Sequence, residues 1–205
     1  MRVIVSEFLT LDGVMQAPGG ADEDRSGGFE LGGWQGPYFD DAAGTEISEI
    51  MAATGGFLLG RVTYDIFAGF WPSAPADDPL ADTINSLPKY VVSTTVKEPL
   101  EWNNSHLIKG DVAKEIAKLK VEPGKDLQVI GSGDLVQTLM QHDLVDEYRL
   151  MVHPVVLGSG KRLFRDGSAT TPLRLVDTKT TCTGTLILTY QPAGNVADTS
   201  ATTEQ

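Results

Sequence analysis

Residues 128–157 (QVIGSGDLVQTLMQHDLVDEYRLMVHPVVL) constrain the fold most, because they predict a strand, a glycine turn, a helix and a long strand in succession. The first strand is short and apolar. It ends at Gly131-Ser132-Gly133, where small side chains let backbone N–H groups face an anion. The helix that follows begins at this turn, so its unpaired amides and partial positive charge point to the same place. The stretch therefore predicts half of a nucleotide-binding site.

The acidic composition of the chain limits its partners. The 205 residues carry a formal net charge of −12, from 28 acidic and 16 basic side chains. This balance argues against a nucleic-acid backbone or an anionic membrane as the main partner. A small anionic ligand is still compatible with it, because a phosphate pocket depends on local amides and one or two cations.

Cysteine content and the N-terminal residues favour a reduced, cytoplasmic setting. Cys182 is the one cysteine in the sequence, so it can form no internal disulfide and cannot build a zinc site by itself. Charges interrupt the apolar residues near the start, which rules out a signal-peptide core, and no segment reaches the length of a membrane span. We also expect no metal site, because no spacing of His, Cys, Asp and Glu suggests one.

Strands and helices alternate along most of the chain, which predicts a single α/β domain over residues 1–191. The long segment 16–37 is rich in glycine and proline and predicts a loop that covers a functional site. Gly55 and Gly56 are expected to end the first helix. Helices are predicted at residues 40–54, 62–70 and 111–120, and strands at residues 3–11, 57–59, 90–92 and 107–108.

The pattern changes after Tyr148, where strand-like segments follow one another without a helix, at residues 148–157, 173–181 and 185–190. The sheet should therefore be central, mixed and mainly parallel, with flanking helices, and finish in antiparallel strands. Residues 192–205 are small and polar without an apolar anchor, and we expect them to form a disordered tail.

Five motifs in order, TLDG, LLGRVTYD, VVSTT, VIGSGDL and LVDEYRLMVHPVVLGSGKRLF, resemble the reductase domain of the riboflavin-biosynthesis protein RibD, within the dihydrofolate-reductase-like fold. The resemblance covers about residues 1–190. It implies an NADPH-dependent reductase that acts on a small heterocyclic substrate and forms a homodimer. The riboflavin enzyme itself reduces 5-amino-6-(5-phosphoribosylamino)uracil, and that substrate does not follow automatically for this chain.

The resemblance places cofactor contacts at a second corner, formed by Gly60, Arg61, Val62 and Thr63. Gly60 lets the backbone approach a diphosphate, and the Arg61 guanidinium can pair with phosphate oxygens in a forked geometry. Thr63 offers a hydroxyl and an amide in the first helical turn. The alternative is a plain helix start with a surface arginine.

Two further segments complete the predicted cofactor site. Ser93 and Thr94, with Lys97 nearby, correspond to the family's grip on the adenosine 2′-phosphate, and the alternative is ordinary capping of a strand end. The glycine turn at residues 131–133 contributes the remaining cofactor contacts. Asp134, which follows it, is expected to cap the helix rather than face a phosphate. The turn's contacts are predicted at Ile130, Gly131, Ser132, Gly133, Asp134 and Leu135.

The chemistry of hydride transfer needs a proton donor, commonly a carboxylic acid or water. Dihydrofolate reductases carry a carboxylate on the first helix, near Ala43 or Gly44 here, and neither of these can titrate. Asp40 lies on the same helical stripe and is the best local catalytic substitute; its alternative role is the helix N-cap. A true dihydrofolate reductase is therefore disfavoured, and a nucleotide-binding module without turnover is a second alternative.

The resemblance assigns Asp12, Gly13 and Val14 to the start of the substrate-covering loop, where a plain turn is the alternative. Lys161 and Arg162 follow the last motif, and we favour a solvated hairpin tip for them over contact with a substrate phosphate. Four ring-bearing side chains are expected to fill the core or an interface rather than stack on a ligand: Trp34, Tyr38, Trp71 and His153.

Overall fold

The computed structural model describes residues 1–75, 77–168 and 170–194. Within these residues, eight strands form one sheet in the order β4-β3-β2-β5-β1-β6-β8-β7. Neighbouring strands from β4 to β6 pair in parallel, and β8 pairs antiparallel with both β6 and β7. The strands are β1 (Val3–Thr10), β2 (Thr54–Gly60), β3 (Lys89–Val92), β4 (Ser105–Ile108), β5 (Asp126–Ile130), β6 (Glu147–His153), β7 (Leu173–Thr180) and β8 (Leu186–Pro192). The predicted mixed, mainly parallel α/β sheet is confirmed.

Five α-helices in the described residues connect and cover the strands: α1 (Asp41–Ala53), α2 (Arg61–Phe70), α3 (Ala81–Ser86), α4 (Val112–Val121) and α5 (Gly133–Gln141). Four of them match the predicted helices closely. Helix α3 was not predicted, because six residues are too few to show a helical period. None of these helices is long and apolar enough to cross a membrane.

Two predicted boundaries are wrong for local reasons. Gly55 and Gly56 do not end the first helix but lie inside β2. A Cβ on Gly55 would lie 2.8 Å from the Lys125 Cβ, so glycine is needed there for these two segments of the backbone to lie so close together. The strand predicted to reach residue 157 ends at His153, because Pro154 has no N–H to continue the ladder.

Apolar residues on the two faces of the sheet form separate core clusters. Val5, Val129 and Leu58 pack on one face with residues of α4 and α5, such as Ile116 and Leu139. Phe57, Leu59 and Val91 pack on the other face with residues of α1 and α2. Alternation along each strand produces this division. It follows that α2 and α5 lie on opposite faces of the sheet.

The adjacent strands β2 and β5 are thus followed by helices that leave towards opposite faces. In open α/β sheets, a crevice forms outside the carboxyl ends of such strands and is the usual place for a ligand. Strand β8 runs as far as Pro192, and the Ala193 amide donates to the Pro172 carbonyl over 2.9 Å. Residues 195–205 of the predicted tail lie outside the described part of the chain.

Candidate functional site

A cleft of about 1510 Å³ lies at the carboxyl edge of the parallel strands. Small-molecule sites usually enclose about 300–1,000 Å³, so this volume leaves room for a dinucleotide and a second ring. Six segments that are distant in the chain supply most of its lining, at residues 15–24, 60–63, 92–95, 108–110, 130–135 and 160–166.

Two hydrogen bonds join the glycine corners that follow β2 and β5. The Gly60 amide donates to Ser132 Oγ over 2.9 Å, and the Ser132 amide donates to Thr63 Oγ1 over 2.9 Å. Both amides are therefore used within the protein. Because the first turn of a helix leaves its N–H groups without intrahelical partners, the first-turn amides of α2 and α5 are the donors offered to a ligand. The predicted corners are brought together at one place.

The backbone of the β5 corner requires glycine at one position in particular. Gly131 has a φ of +58°, and a Cβ there would lie 2.8 Å from Thr63 Oγ1. Ser132 also adopts the left-handed region, with a φ of 56°. Gly60 differs, because its φ is −75° and a Cβ would meet the nearest Ser132 atom at an ordinary 3.5 Å. The surrounding protein therefore leaves room for a side chain at position 60.

The cations around the cleft are paired with neighbouring carboxylates. Arg61 donates to Asp65 over 2.7 Å, and both side chains are about half exposed, so this pair can exchange for a phosphate. Asp134 pairs with Arg165 and is almost fully exposed. It makes no capping bond at the start of α5, so the capping role predicted for it is wrong. The nearby guanidinium holds its carboxylate instead.

The predicted 2′-phosphate segment divides into one buried and one exposed hydroxyl. Ser93 is buried, and its Oγ accepts hydrogen bonds from the amides of Thr95 and Val96, both over 3.1 Å. Thr94 is exposed and lines the cleft. Lys97 lies outside the lining, whereas Lys109, which the sequence reasoning missed, lies within it.

The residues assigned to the substrate-covering loop lie behind the cleft wall. The Asp12 carboxylate accepts hydrogen bonds from the Thr10 hydroxyl and the Leu157 and Gly158 amides, and these bonds lower its pKa to about 2. Gly13 has a φ of +80°, and Val14 is fully buried. These residues form the base of the loop. The residues that face the cleft follow them, from Met15 to Asp24.

The last motif is attached to this first loop, although its two basic side chains stay exposed to solvent. Lys161 Nζ donates to Asp24 Oδ2 over 2.7 Å, and Arg162 Nε donates to the Asp12 carbonyl over 2.9 Å. Both basic residues also line the cleft. These two side chains are exposed, as expected of a hairpin tip, but the acidic first loop binds them, which was not expected.

Asp40 occupies its alternative position at the N-cap of α1. Its Oδ1 accepts from the Ala43 amide over 3.0 Å, and its Oδ2 accepts from the Thr183 amide and hydroxyl over 3.2 Å each. Hydrogen bonding, first of all from the Ala43 amide, lowers the pKa of this carboxyl. Asp40 is not among the residues that line the cleft. The geometry therefore gives it no contact with a ligand there.

Three of the four ring-bearing side chains pack together and are not among the residues that line the cleft. Trp34 is buried, and its ring centroid lies 5.3 Å from that of His153, which lies 6.1 Å from that of Tyr38. His153 is itself buried, and burial lowers its pKa. Trp71 differs because it lines the cleft.

Glu7 is a cleft residue that the sequence reasoning missed. Its side chain lies in the central strand β1, only 5% exposed, and also borders the cleft. Oε1 has no hydrogen-bond partner among the described residues. Burial raises the pKa of this carboxyl well above its usual range, and the Gly131 amide offsets part of that effect. A signal was present: Glu7 alternates with Val5 and Leu9, so the strand period turns it to a buried face.

Comparison with known proteins supports the resemblance read from the motifs. The model of the RibD C-terminal domain family matches residues 1–187. The uncharacterized protein YyaP of Bacillus subtilis (strain 168) is 37% identical over 136 residues, which cover 65% of this chain and 71% of YyaP.

Two solved structures share the architecture. A putative riboflavin biosynthesis protein from Shewanella sp. PV-4 has a TM-score of 0.68 and 23% identity, over 94% of this chain and 99% of that chain. A pyrimidine reductase-like protein from Corynebacterium diphtheriae has a TM-score of 0.64 and 11% identity, over 93% of this chain and 91% of that chain. At these identities the likeness shows the fold. Together with the family match over residues 1–187, it means that the chain belongs to the RibD C-terminal domain family.

Proposed function

We propose that the protein is an NADPH-dependent reductase of the riboflavin-biosynthesis reductase class, acting on a small heterocyclic substrate. One observation carries the proposal. The N-termini of α2 and α5 converge from opposite faces of the sheet on one cleft, held together by the bonds among Gly60, Thr63 and Ser132. Two converging helix N-termini favour a diphosphate, because each offers unpaired amides and a partial positive charge.

The donor set of the cleft fits a dinucleotide. The left-handed turn at Gly131 and Ser132 exposes the first-turn amides of α5, and Arg61 lies at the start of α2 with a guanidinium that can release Asp65. When bound, the reduced nicotinamide supplies the hydride. The protein's part is to hold the diphosphate, orient the two rings and exclude water from between them.

Support for NADPH over NADH comes from the far end of the cleft. Thr94 and Thr95 are exposed and line it, and the Lys109 side chain is about half exposed there. Lys109 Nζ lies 3.7 Å from a Glu98 carboxylate oxygen, a loose pair that a phosphate can replace. Hydroxyls and one cation suit a 2′-phosphate, which forms charge-assisted hydrogen bonds that a plain ribose cannot form.

The opposite end of the cleft suits a flat ring that carries an anionic group. Phe8, Met15 and Phe164 give it apolar surface, and Lys161 and Arg162 give it cations. A ribosylaminopyrimidine phosphate such as 5-amino-6-(5-phosphoribosylamino)uracil has both features. A solved relative of the same fold is itself described as pyrimidine reductase-like.

The proposal also includes a homodimer. Strand β7 is at the edge of the sheet and exposes apolar side chains, with Leu175 46%, Val176 45% and the neighbouring Leu186 39% exposed. An exposed edge with apolar side chains is the kind of surface that a second copy covers.

A binding titration tests the cofactor assignment. NADPH or NADH is added to the protein, and quenching of intrinsic fluorescence gives the dissociation constant for each. Arg61→Ala should weaken NADPH binding about 10-fold or more, because a charge-assisted hydrogen bond contributes roughly 1.5–3 kcal/mol. Arg174→Ala is the matched control, since Arg174 lies on β7 away from the cleft.

Equal NADPH affinity in the two arginine variants would reject Arg61 as a phosphate ligand. Failure of the wild-type protein to bind either dinucleotide would reject the reductase proposal. Loss of reduced-nicotinamide absorbance on adding 5-amino-6-(5-phosphoribosylamino)uracil, but not on adding dihydrofolate, separates the proposed enzyme from a silent binding module and from a dihydrofolate reductase.

A further inference from the structure

We propose that Glu7 is the acid that supplies the proton accompanying hydride transfer in the cleft, an inference that rests on the reductase function proposed above. Glu7 belongs to the central strand of the sheet, between β5 and β6, and borders the cleft beside the Gly131 corner. The side chain is 5% exposed, and Oε1 meets neither solvent nor a hydrogen-bond partner among the described residues. A buried oxygen left in this state costs about 1–3 kcal/mol, which a ligand can recover by pairing with it.

The surroundings of Glu7 favour a neutral carboxyl. The side chains that share its face of the sheet include Val5, Leu9, Val129 and Leu150, which all belong to the apolar core. Desolvation by these neighbours raises the pKa of Glu7 well above its usual range. The Gly131 amide is the one group that acts in the opposite direction, and its effect is the smaller.

Charged groups that face Glu7 do not supply a counter-ion. From β6, the titratable side chain on the same face is Tyr148, which is neutral because burial raises its pKa to about 12. At the start of α5, Asp134 and Arg165 pair with each other. Burial without a counter-ion thus favours the protonated carboxyl of Glu7, which is the state a general acid requires.

The other acids that line the cleft are placed less well for this task. Asp24 pairs with Lys161, Asp22 pairs with Arg25, and Glu23 accepts hydrogen bonds from the Gly19 and Gly20 amides. Asp166 lies on the exposed outer segment. Among the described lining residues there is no His, Tyr or Cys. Glu7 is therefore the buried acid of the cleft.

The proposed step balances in atoms and electrons. The ribosylamine ring opens first: the bond from C1′ to the ring oxygen breaks, a C=N bond forms at C1′, and the amine proton moves to the released oxygen. A hydride from the reduced nicotinamide then adds to this carbon, and the π electron pair moves to nitrogen. The O–H bond of Glu7 breaks, and its proton forms the new N–H bond. The products are the amine, the oxidised dinucleotide and the Glu7 carboxylate, which regains a proton from water after the products leave.

Single-turnover kinetics with Glu7→Gln test the step, with Glu30→Gln as the matched control because Glu30 is exposed and outside the cleft lining. Each protein is loaded with NADPH and mixed with 5-amino-6-(5-phosphoribosylamino)uracil, and the loss of nicotinamide absorbance is followed over a range of pH. We expect Glu7→Gln to bind NADPH as the wild type does, yet to slow hydride transfer about 100-fold or more. The wild-type rate should fall as the pH rises through the raised pKa of Glu7. The rate of the variant should not show this decrease.

An infrared measurement needs no substrate. The difference spectrum between wild type and Glu7→Gln should contain the C=O stretch of a protonated carboxyl at neutral pH, and this band should shift when NADPH fills the cleft. Absence of the band, or an equal rate and pH profile in the two proteins, would overturn the assignment of Glu7.

The two proposals fail in different ways. A wild-type protein that binds no NADPH overturns the reductase function and this inference with it. A protein that binds NADPH but leaves the pyrimidine unreduced overturns that substrate alone. The infrared band then shows whether Glu7 is protonated and responds to NADPH, and its absence overturns the inference. A functioning reductase whose rate is untouched by Glu7→Gln overturns only the inference about Glu7.

Discussion

At the scale of single residues, the cleft contains positions with unfavourable burial or backbone conformation. Glu7 places a carboxyl in an apolar layer, and Gly131 adopts a positive φ beneath the Thr63 hydroxyl. Each position carries a cost in folding stability that a ligand site can explain. Each also makes a prediction that needs no substrate.

Glu7→Gln should change the pH dependence of stability in a defined direction. Because the pKa of Glu7 is raised in the folded state, the unfolded chain ionises first as the pH rises, and wild-type stability is lost between the unfolded and folded pKa values. The variant should match the wild type below about pH 4 and exceed it at higher pH, by about 1.4 kcal/mol for each pH unit that separates the folded from the unfolded pKa. Urea denaturation over a range of pH measures this. A difference that does not vary with pH would contradict a buried neutral carboxyl.

Gly131→Ala should destabilise the protein more than Gly27→Ala. Both glycines have positive φ, at +58° and +71°, but only the new Cβ at position 131 meets a neighbour, Thr63 Oγ1 at 2.8 Å. The conformational penalty is of order 1 kcal/mol in each, and displacement of Thr63 should bring the total at position 131 to about 2–3 kcal/mol. Thermal unfolding of the two variants provides the comparison, and equal losses would show that Thr63 is not in the way.

At the scale of secondary-structure elements, the ends of helices perform two different tasks. The N-termini of α1 and α4 are closed by aspartate side chains, since Asp40 accepts from the Ala43 amide and Asp111 accepts from the Lys114 amide. The N-termini of α2 and α5 have no side-chain cap. The two helices that meet at the glycine corners thus begin without a side-chain cap, whereas α4, whose first residue Val112 also lines the cleft, is capped.

Asp40→Ala and Asp111→Ala should both lower stability, with the larger loss in Asp40→Ala because Asp40 also accepts hydrogen bonds from Thr183. Each removes one N-cap and should cost about 0.5–2 kcal/mol of unfolding free energy without changing NADPH affinity. Chemical denaturation and fluorescence titration of both variants check this. Loss of hydride transfer in Asp40→Ala alone, with NADPH binding intact, would restore the catalytic role that the sequence first suggested for Asp40.

Thr63→Val should weaken the contact between the two corners that form the diphosphate site. The variant keeps the shape of the side chain but removes the acceptor of the Ser132 amide, at a cost of about 1–3 kcal/mol. It should also weaken NADPH binding, because only the bond from the Gly60 amide to Ser132 Oγ would still join the two corners. Thr45→Val is the control, since its hydroxyl bonds only within α1. Equal NADPH affinity in both would mean that the tie is not needed for binding.

Much of the element order was predictable because strand and helix periods are local signals. Residues 61–70 and 133–141 form helices directly after glycine corners, as the sequence indicates. Pairings between distant residues were not predictable. The Asp134–Arg165 pair and the attachment of Lys161 and Arg162 to the first loop depend on contacts across the fold. The alternation of β1 was enough to predict that Glu7 is buried. Its place in the cleft was not predictable, because that depends on the three-dimensional position of β1 beside the cleft.

At the scale of the whole molecule, the sheet explains both the site and the proposed assembly. The carboxyl edge of the parallel strands carries the cleft, and the antiparallel edge strand β7 is distant from it in the strand order. A dimer through β7 would therefore leave NADPH binding unaffected. Val176→Lys should convert a dimer to a monomer in light scattering while NADPH affinity stays the same. A wild-type monomer would contradict the proposed assembly.

The proposed cofactor site requires that α2 and α5 hold a single diphosphate between their N-termini. Amide NMR spectra recorded during titration with NADP⁺ test it most directly. We predict the largest shifts at the amides of residues 61–63 and 133–135, with smaller shifts at residues 94–95 and none along β7. Saturable binding that leaves either helix N-terminus unshifted would contradict the claim.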